Sequence, residues 1–492
     1  MKFSLKKMLV IAFAVMVCLS LCLLASCADK GDETTPNDDG GVITTYTIGL
    51  EKPSVYGEVS AEPKRAQDGG TLYEFVVTPK LGYAVKSFKI SGTEFPLKDN
   101  KFECILQQDV VVSVEYTRKT NEELEARRET VIKKMQQITG TQFIYDRDYD
   151  YLIQKKDTHI TAGKLYQGMP YANNPTLNFD AFIEDFTTGP DANGVYTVKD
   201  ILGDTNYVWG NNCADVVYWS WATISSTIEC TYTAMFVDKY GLEYVGEYTV
   251  AEEELKKNLL VETNDICTRN GMQTMFESYA MLLKGDGLVF YHPAGGHAIM
   301  ASEVKVARNP DGTINGDRSV LVYYDQNSGY SQKTGVNNKP VTSSCAYEGT
   351  MTFTNVYKDG YIPVTCKELL DESYGIAEES VKDSLTEAQL TKINVGRGFV
   401  ETNYYVSKAK LEITDENGNV VYSAIRYRDE TKPYRVSLTW FGKNTTESYA
   451  NMNLYDDILD VETLASGNYH CKLDVYLSTG SVHTVRDFDF VA

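Results

Sequence analysis

Positive charge is scarce in this chain. Lys and Arg number 47 against 68 Asp and Glu, a net charge of −21 over 492 residues. No basic stripe interrupts that balance. A phosphate-backbone partner is therefore excluded, because nucleic-acid binding rests on clustered cations. Paired cysteine spacing is missing as well: ten cysteines contain no Cys-x-x-Cys, which disfavours zinc. No apolar run of membrane-spanning length follows residue 24. Histidine is limited to five, so any general base of that type is one of His159, His292, His297, His470 or His483. What is plentiful is ordinary for a soluble globular protein, with 43% hydrophobic residues and 35 tyrosines. The length points to two to four domains.

The first residues read as a processing signal and stand outside fold reasoning. Lys2, Lys6 and Lys7 precede an apolar core from Met8 to Leu24, followed by Leu24-Ala25-Ser26-Cys27. Small residues directly before the cysteine resemble the lipobox of bacterial lipoproteins. The resemblance implies cleavage before Cys27, lipidation of its thiol and a membrane-anchored, extracytoplasmic protein. An uncleaved anchor is the alternative. Residues 1–27 are then signal peptide and lipobox. Residues 28–43 are polar, acidic and rich in Gly, Thr and Pro, and are expected to form a disordered tether. Seven cysteines remain beyond Cys27, an odd number that leaves at least one thiol unpaired within a monomer.

From 44 to 119 the signals are those of strands. Leu72–Val77, Val85–Ile90 and Val110–Val114 are short and β-rich, punctuated by Gly82, Ser91-Gly92 and Asp99-Asn100. The order Gly57-Glu58-Val59, Val77-Thr78-Pro79, Gly82-Tyr83, Lys101-Phe102, Asp109-Val110-Val111-Val112 resembles one divergent internalin-B-type bacterial repeat. Such modules are small β-folds of surface proteins, and no catalytic group is found in this one. At 120–139 the period becomes helical through Leu124, Val131, Met135 and Ile138, with Asn121 or Thr120 as N-cap and Gly140 as stop. A further helix is expected from Met272 to Leu283, and strands at Leu288–Tyr291, His297–Val306 and Ser319–Tyr324. Helices followed by an antiparallel sheet make an α+β arrangement. Glu252–Lys257 reads as a solvated helix face. Between 396 and 492 strands return, two of them about an Asn417-Gly418 turn. This segment is similar to the immunoglobulin-like modules that end many bacterial surface enzymes, and is expected to be an accessory or binding module.

The chemistry concentrates in 120–395. Gly210-Asn211-Asn212-Cys213 delivers a cysteine to the first turn of an apolar helix bearing Val216, Val217, Trp221 and Ile224. Helix amides and dipole favour a thiolate there. A nucleophilic cysteine also needs a histidine. His297 opens a strand after two glycines, and His292 in the preceding turn is its competitor. Asp325, Gln326 and Asn327 end a neighbouring strand, and each can accept from an imidazole N–H. Asp325 continues the strand's alternation. An oxyanion would be held by the Cys213 amide with Asn211 or Asn212. Cys230, Cys267, Cys345 and Cys366 are expected to be structural.

Gly-x-x-Cys at a helix start, Gly285-Asp286-x-Leu288-Val289-Phe290 and Gly296-His297-Ala298-Ile299-Met300 together resemble the NlpC-type and CHAP-type papain-like cysteine peptidases, over roughly 160 residues. Cys213-Ala214 stands where that family has Cys-Ser, and 84 residues separate Cys213 from His297, more than usual. The resemblance implies a multidomain protein with an α+β papain-like catalytic domain flanked by two all-β modules. It implies amide hydrolysis by Cys213, His297 and Asp325 without cofactor or metal, on peptidoglycan peptides or another peptide substrate. A non-catalytic surface adhesion protein and a protein-directed protease are the alternatives.

Overall fold

The computed structural model describes residues 43–153, 156–172, 177–202, 208–228, 242–251, 262–330, 332–336, 340–427, 435–437 and 464–492. The signal sequence, Cys27, nearly all of the tether, Cys230 and the charged run at 252–257 lie outside them. The protein is mostly β, with 44% in strands against 19% in helices, and the strands form several separate sheets. Among the described residues no helix is long and apolar enough to cross a membrane. The chain divides into two compact units, Met1–Thr117 and Arg118–Ala492.

The described part of the first unit holds seven strands: β1 (Ile48–Leu50), β2 (Gly57–Gln67), β3 (Gly70–Pro79), β4 (Tyr83–Ile90), β5 (Thr93–Glu94), β6 (Lys101–Leu106) and β7 (Val110–Arg118), whose last residue opens the second unit. They form two sheets, β2-β3-β6 and β1-β7-β4-β5. In β3 the alternation of Tyr73, Phe75 and Val77 puts those three side chains inside, all nearly solvent-free. Phe75 meets Phe88 of the other sheet edge-on, with ring centres 5.7 Å apart.

The second unit opens with α1 (Glu122–Gly140). Asn121 caps it by accepting the Leu124 amide, and Glu122, Glu123 and Glu125 suit the positive end of its dipole. Leu124, Val131, Met135 and Ile138 are fully buried, one face of a 3.6-residue period. Then follow α2 (Phe179–Phe186), α3 (Cys213–Trp221), α4 (Thr263–Asn270) and α5 (Met272–Ala280). A central antiparallel sheet is built from β8 (Leu242–Tyr244), β9 (Gly287–His292), β10 (Gly295–Lys305), β11 (Val320–Gln326), β12 (Ala346–Thr352) and β13 (Ile362–Cys366), in the order β8-β13-β9-β10-β11-β12. A second six-stranded sheet gathers short strands, including Gln142–Tyr145 and Tyr166–Gln167.

α3 packs against α1 and β10. Every one of its nine residues is buried, so it has no solvent face, where a single apolar stripe was expected. The reason is that its polar positions are also satisfied inside; the Ser220 hydroxyl, for example, bonds to the Val216 carbonyl at 2.7 Å. The Gly285-Asp286-Gly287 turn is what lets this helix approach the sheet. Gly285 has φ +86°, and the indole N–H of Trp221 donates to its carbonyl at 2.8 Å. A Cβ on Gly287 would sit 2.7 Å from the Trp221 ring, so only glycine fits. Between them Asp286 is wholly buried and accepts from Arg118 and Arg128 at 3.0 Å each and from Thr365 at 2.6 Å.

The C-terminal strands are β14 (Val381–Asp383), β15 (Phe399–Thr402), β16 (Val406–Asp415), β17 (Val420–Tyr427), β18 (Arg435–Ser437), β19 (Asn468–Leu477) and β20 (Val482–Val491). They make two antiparallel sheets, β14-β15-β18 and β17-β16-β19-β20. The Asn417-Gly418 turn joins β16 to β17 as expected, with Gly418 at φ +81°. Pairing of β14 with β15 runs across position 395, and the whole segment belongs to the same compact unit as the helices. Tyr405 and Tyr427 are part of the core that contains α3.

Candidate active site

The turn before α3 is fixed from two sides. The Asn211 amide donates to the Pro170 carbonyl and the Asn211 carbonyl accepts from Ala172, both at 3.0 Å. A Cβ on Gly210 would lie 2.1 Å from the Pro170 oxygen, so this close approach requires glycine. Asn212 is the N-cap: its Oδ1 accepts from the Ala214 and Asp215 amides at 2.9 and 3.0 Å. Cys213 is thereby the first helical residue, where amide hydrogens have no partner within the helix. The residue is 5% exposed.

His297 lies near the start of β10, facing Phe290 of β9. Its Nε2 and Asp325 Oδ1 are 2.7 Å apart. That bond leaves Nδ1 as the nitrogen able to exchange a proton with the Cys213 sulfur, with which the ring also interacts. The ring keeps 17% of its side-chain surface open. The structure thus brings Cys213, His297 and Asp325 into one chain of contacts. His292 does not join it; it is exposed, stacks on Phe290 and accepts the Ala294 amide through Nδ1. His159, His470 and His483 pair with Asp150, with Asp487 and Asp489, and with Glu379.

The electrostatics separate Cys213 from the other described thiols. All six are free. Burial raises the pKa of Cys104 and Cys366, and pushes Cys267, Cys345 and Cys471 up to about 12. Burial acts on Cys213 too and is its largest single influence. There the charge of His297, their mutual hydrogen bond and the Ala298 amide outweigh it and hold the thiol below its ordinary range. For His297 burial works against the positive ring, while Asp325 and the Cys213 sulfur raise its pKa well above the ordinary value. Asp325 is buried, yet His297 and hydrogen bonds from Tyr347 and Asn327 keep its carboxyl below the usual range. Both shifts favour the thiolate and imidazolium form of the pair over the neutral one.

Among the three acceptors at the end of β11 the pleat decides. Asp325 faces His297 and Asn327 donates to Asp325 at 3.2 Å, whereas Gln326 points to the other side. There its Nε2 reaches the carbonyls of Met169, Pro170 and Asn211 at 3.1, 3.4 and 3.1 Å. Gln326 therefore ties the loop before Tyr171 to the turn before Cys213. Asn211 turns its Nδ2 to the Met169 sulfur, 3.1 Å away. Of the two side chains expected as oxyanion donors, only Asn212 stays at the helix start, with Oδ1 given to the cap and Nδ2 left over.

Two residues near the pair had no assigned role from sequence. The Tyr171 hydroxyl is 4.0 Å from Cys213 Sγ, and burial followed by the nearby sulfur charge raises its pKa, so it remains a donor. Tyr347, opposite Asp325 on β12, bonds to that carboxylate. Tyr171 follows Gly163 and Gly168, which mark turns, but nothing local shows that this loop meets a cysteine 42 residues later. No protein-family model matches the chain, and no curated protein matches it either.

Proposed function

We propose that this protein is a lipid-anchored, cell-surface cysteine hydrolase of papain-like fold, in which residues 120–395 cleave amide bonds of peptidoglycan peptides. The observation that carries the reading is Cys213 at a helix start, with its thiol held low by His297 while burial raises the other described thiols. The thiolate adds to the amide carbonyl carbon, and the carbonyl electron pair moves onto oxygen. On this reading the Cys213 amide and Asn212 Nδ2 receive that oxyanion. As the tetrahedral centre collapses, imidazolium His297 gives its proton to the departing amine and a thioester remains. Neutral His297 then takes a proton from water, hydroxide equivalent attacks the thioester, and the thiolate returns with the carboxylic product. Asp325 holds the ring in orientation and favours its charged form. No cofactor enters these steps.

The test is mass spectrometry of purified muropeptides after incubation with the mature protein and with Cys213→Ala. Fragments that appear with the wild type only are expected, and their masses identify the bond. Identical digests from both proteins overturn the reading. A non-catalytic adhesion role is the second reading, favoured by the described β-strands of the first unit, which carry no cysteine–histidine pair. It predicts that Cys213 resists alkylation at mildly acidic pH, where a thiolate of depressed pKa reacts readily.

A further inference from the structure

The C-terminal strands and the residues beside them meet the chain at three points: before α3, in its second turn and at its C-cap. At the helix start, Tyr427 of β17 packs on Trp209 with ring centres 4.8 Å apart, and Trp209 lies four residues before Cys213. Phe186 of α2 completes that stack, 5.9 Å from Trp209 and 6.0 Å from Tyr427. The same corner is pinned by charge. Lys408 of β16, its side chain 1% exposed, donates to both oxygens of Asp185 at 2.7 and 2.8 Å, and the Tyr427 hydroxyl adds a bond at 3.1 Å. In the middle, Tyr405 meets Trp219 edge-on, with centres 6.0 Å apart and planes at 87°. At the helix end, the buried Ser478 hydroxyl donates to the carbonyl of Ala222, the C-cap, at 2.7 Å. The Ser478 amide in turn donates to the Tyr405 carbonyl at 2.8 Å, so the last two contacts are one unit.

A nine-residue helix does not hold itself in place, because so few turns do not offset nucleation. Its position is set by what surrounds it. Contacts between modules that bind a ligand independently are ordinarily polar and permit relative motion. These are aromatic and buried, with a buried lysine whose partner cannot be removed cheaply. We propose that the C-terminal sheet is the positioning element of the nucleophile helix, and that Tyr427, Tyr405 and Ser478 set where Cys213 stands relative to His297; this rests on reading Cys213 as the nucleophile. A misplacement of about 1 Å at a reacting atom costs about a hundredfold in rate.

The full-length protein and three variants, Tyr427→Phe, Tyr427→Ala and Ser478→Ala, test this through the iodoacetamide alkylation rate of Cys213 across pH, with circular dichroism at 25 °C to establish folding. Tyr427→Phe keeps the ring and is expected to react within about twofold of wild type. In Tyr427→Ala and Ser478→Ala the thiol loses its alignment with the imidazolium. Their midpoint is expected to move up by about one pH unit, which is about a tenfold slower reaction at pH 6. Folded variants that keep the wild-type rate and midpoint overturn the proposal, since a merely stabilising sheet changes the melting temperature and leaves the midpoint alone. Should Tyr427→Ala not fold, Ser478→Ala decides alone. A wild-type thiol that reacts only near pH 9 overturns the nucleophile reading and this one with it, whereas a wild-type thiol reactive at pH 6 with unchanged variants overturns this one only.

Discussion

Asp325 acts on the thiol both directly and through His297, and replacing it separates two effects of opposite sign. Its negative charge repels the Cys213 thiolate directly, while the imidazolium it supports attracts that thiolate more strongly. Hydrolysis by the proposed route runs between a lower pH limb, where the depressed thiol ionises, and an upper limb, where the raised imidazolium loses its proton. In Asp325→Asn the ring loses its anion, so the upper limb moves toward the ordinary histidine value of 6.5. The lower limb shifts less, because the two effects on the thiol partly cancel. A pH profile of kcat/KM is expected to narrow from its alkaline side, with a loss of up to about thirtyfold at pH 8. An unchanged upper limb would remove Asp325 from its assigned role. Cys213 and His297 were legible because each follows a local glycine-bearing turn. Asp325 was separable from Gln326 only by strand alternation, and the pleat turns Asp325 toward His297 and Gln326 toward Met169. Tyr171 was not legible at all, because its approach to sulfur depends on backbone bonds between Pro170, Asn211 and Ala172.

The elements that sequence reveals are those with a long period. α1 shows its cap and its buried stripe, and β9, β10 and β11 show apolar runs bounded by glycine or proline turns. α4 was not anticipated. Its sequence, TNDICTRN, buries only Thr263, Ile266 and Cys267, too few for a periodic signal. Short strands such as Tyr166–Gln167 and Thr187–Thr188 are two residues long and have no alternation to read. The turn into β9 gives the firmest prediction at this scale. Asp286 is wholly buried against Arg118 and Arg128, and those charges with the Thr365 bond outweigh burial and depress its pKa below 3.8. Its stabilising contribution is present above pH 3.8 and is lost as pH falls through the depressed value. Asp286→Asn leaves two buried guanidinium groups without their anion, and is expected to cost about 3–5 kcal/mol in urea unfolding at pH 7. A change below about 1 kcal/mol would mean that the bonds of Arg128 to the Lys284 and Leu369 carbonyls hold this corner without the anion.

At the scale of the molecule, two compact units and a proposed lipid at Cys27 separate anchoring from chemistry. Cys27→Ser is expected to move the protein from the detergent phase to the aqueous phase in a cloud-point partition, with the alkylation profile of Cys213 unchanged. Retention in the detergent phase would favour the uncleaved apolar segment as the anchor. The net charge of −21 suits a chain that stays soluble in water once tethered. The contact between Ser478 and Ala222 joins residues 256 apart in sequence. Synthesis proceeds from the N-terminus at about 5–20 residues per second, so the strand that steadies the helix is made on the order of tens of seconds after it. If the C-terminal segment positions α3 as proposed, a prematurely ended polypeptide would carry Cys213 without the Ser478 and Tyr405 contacts that hold its helix.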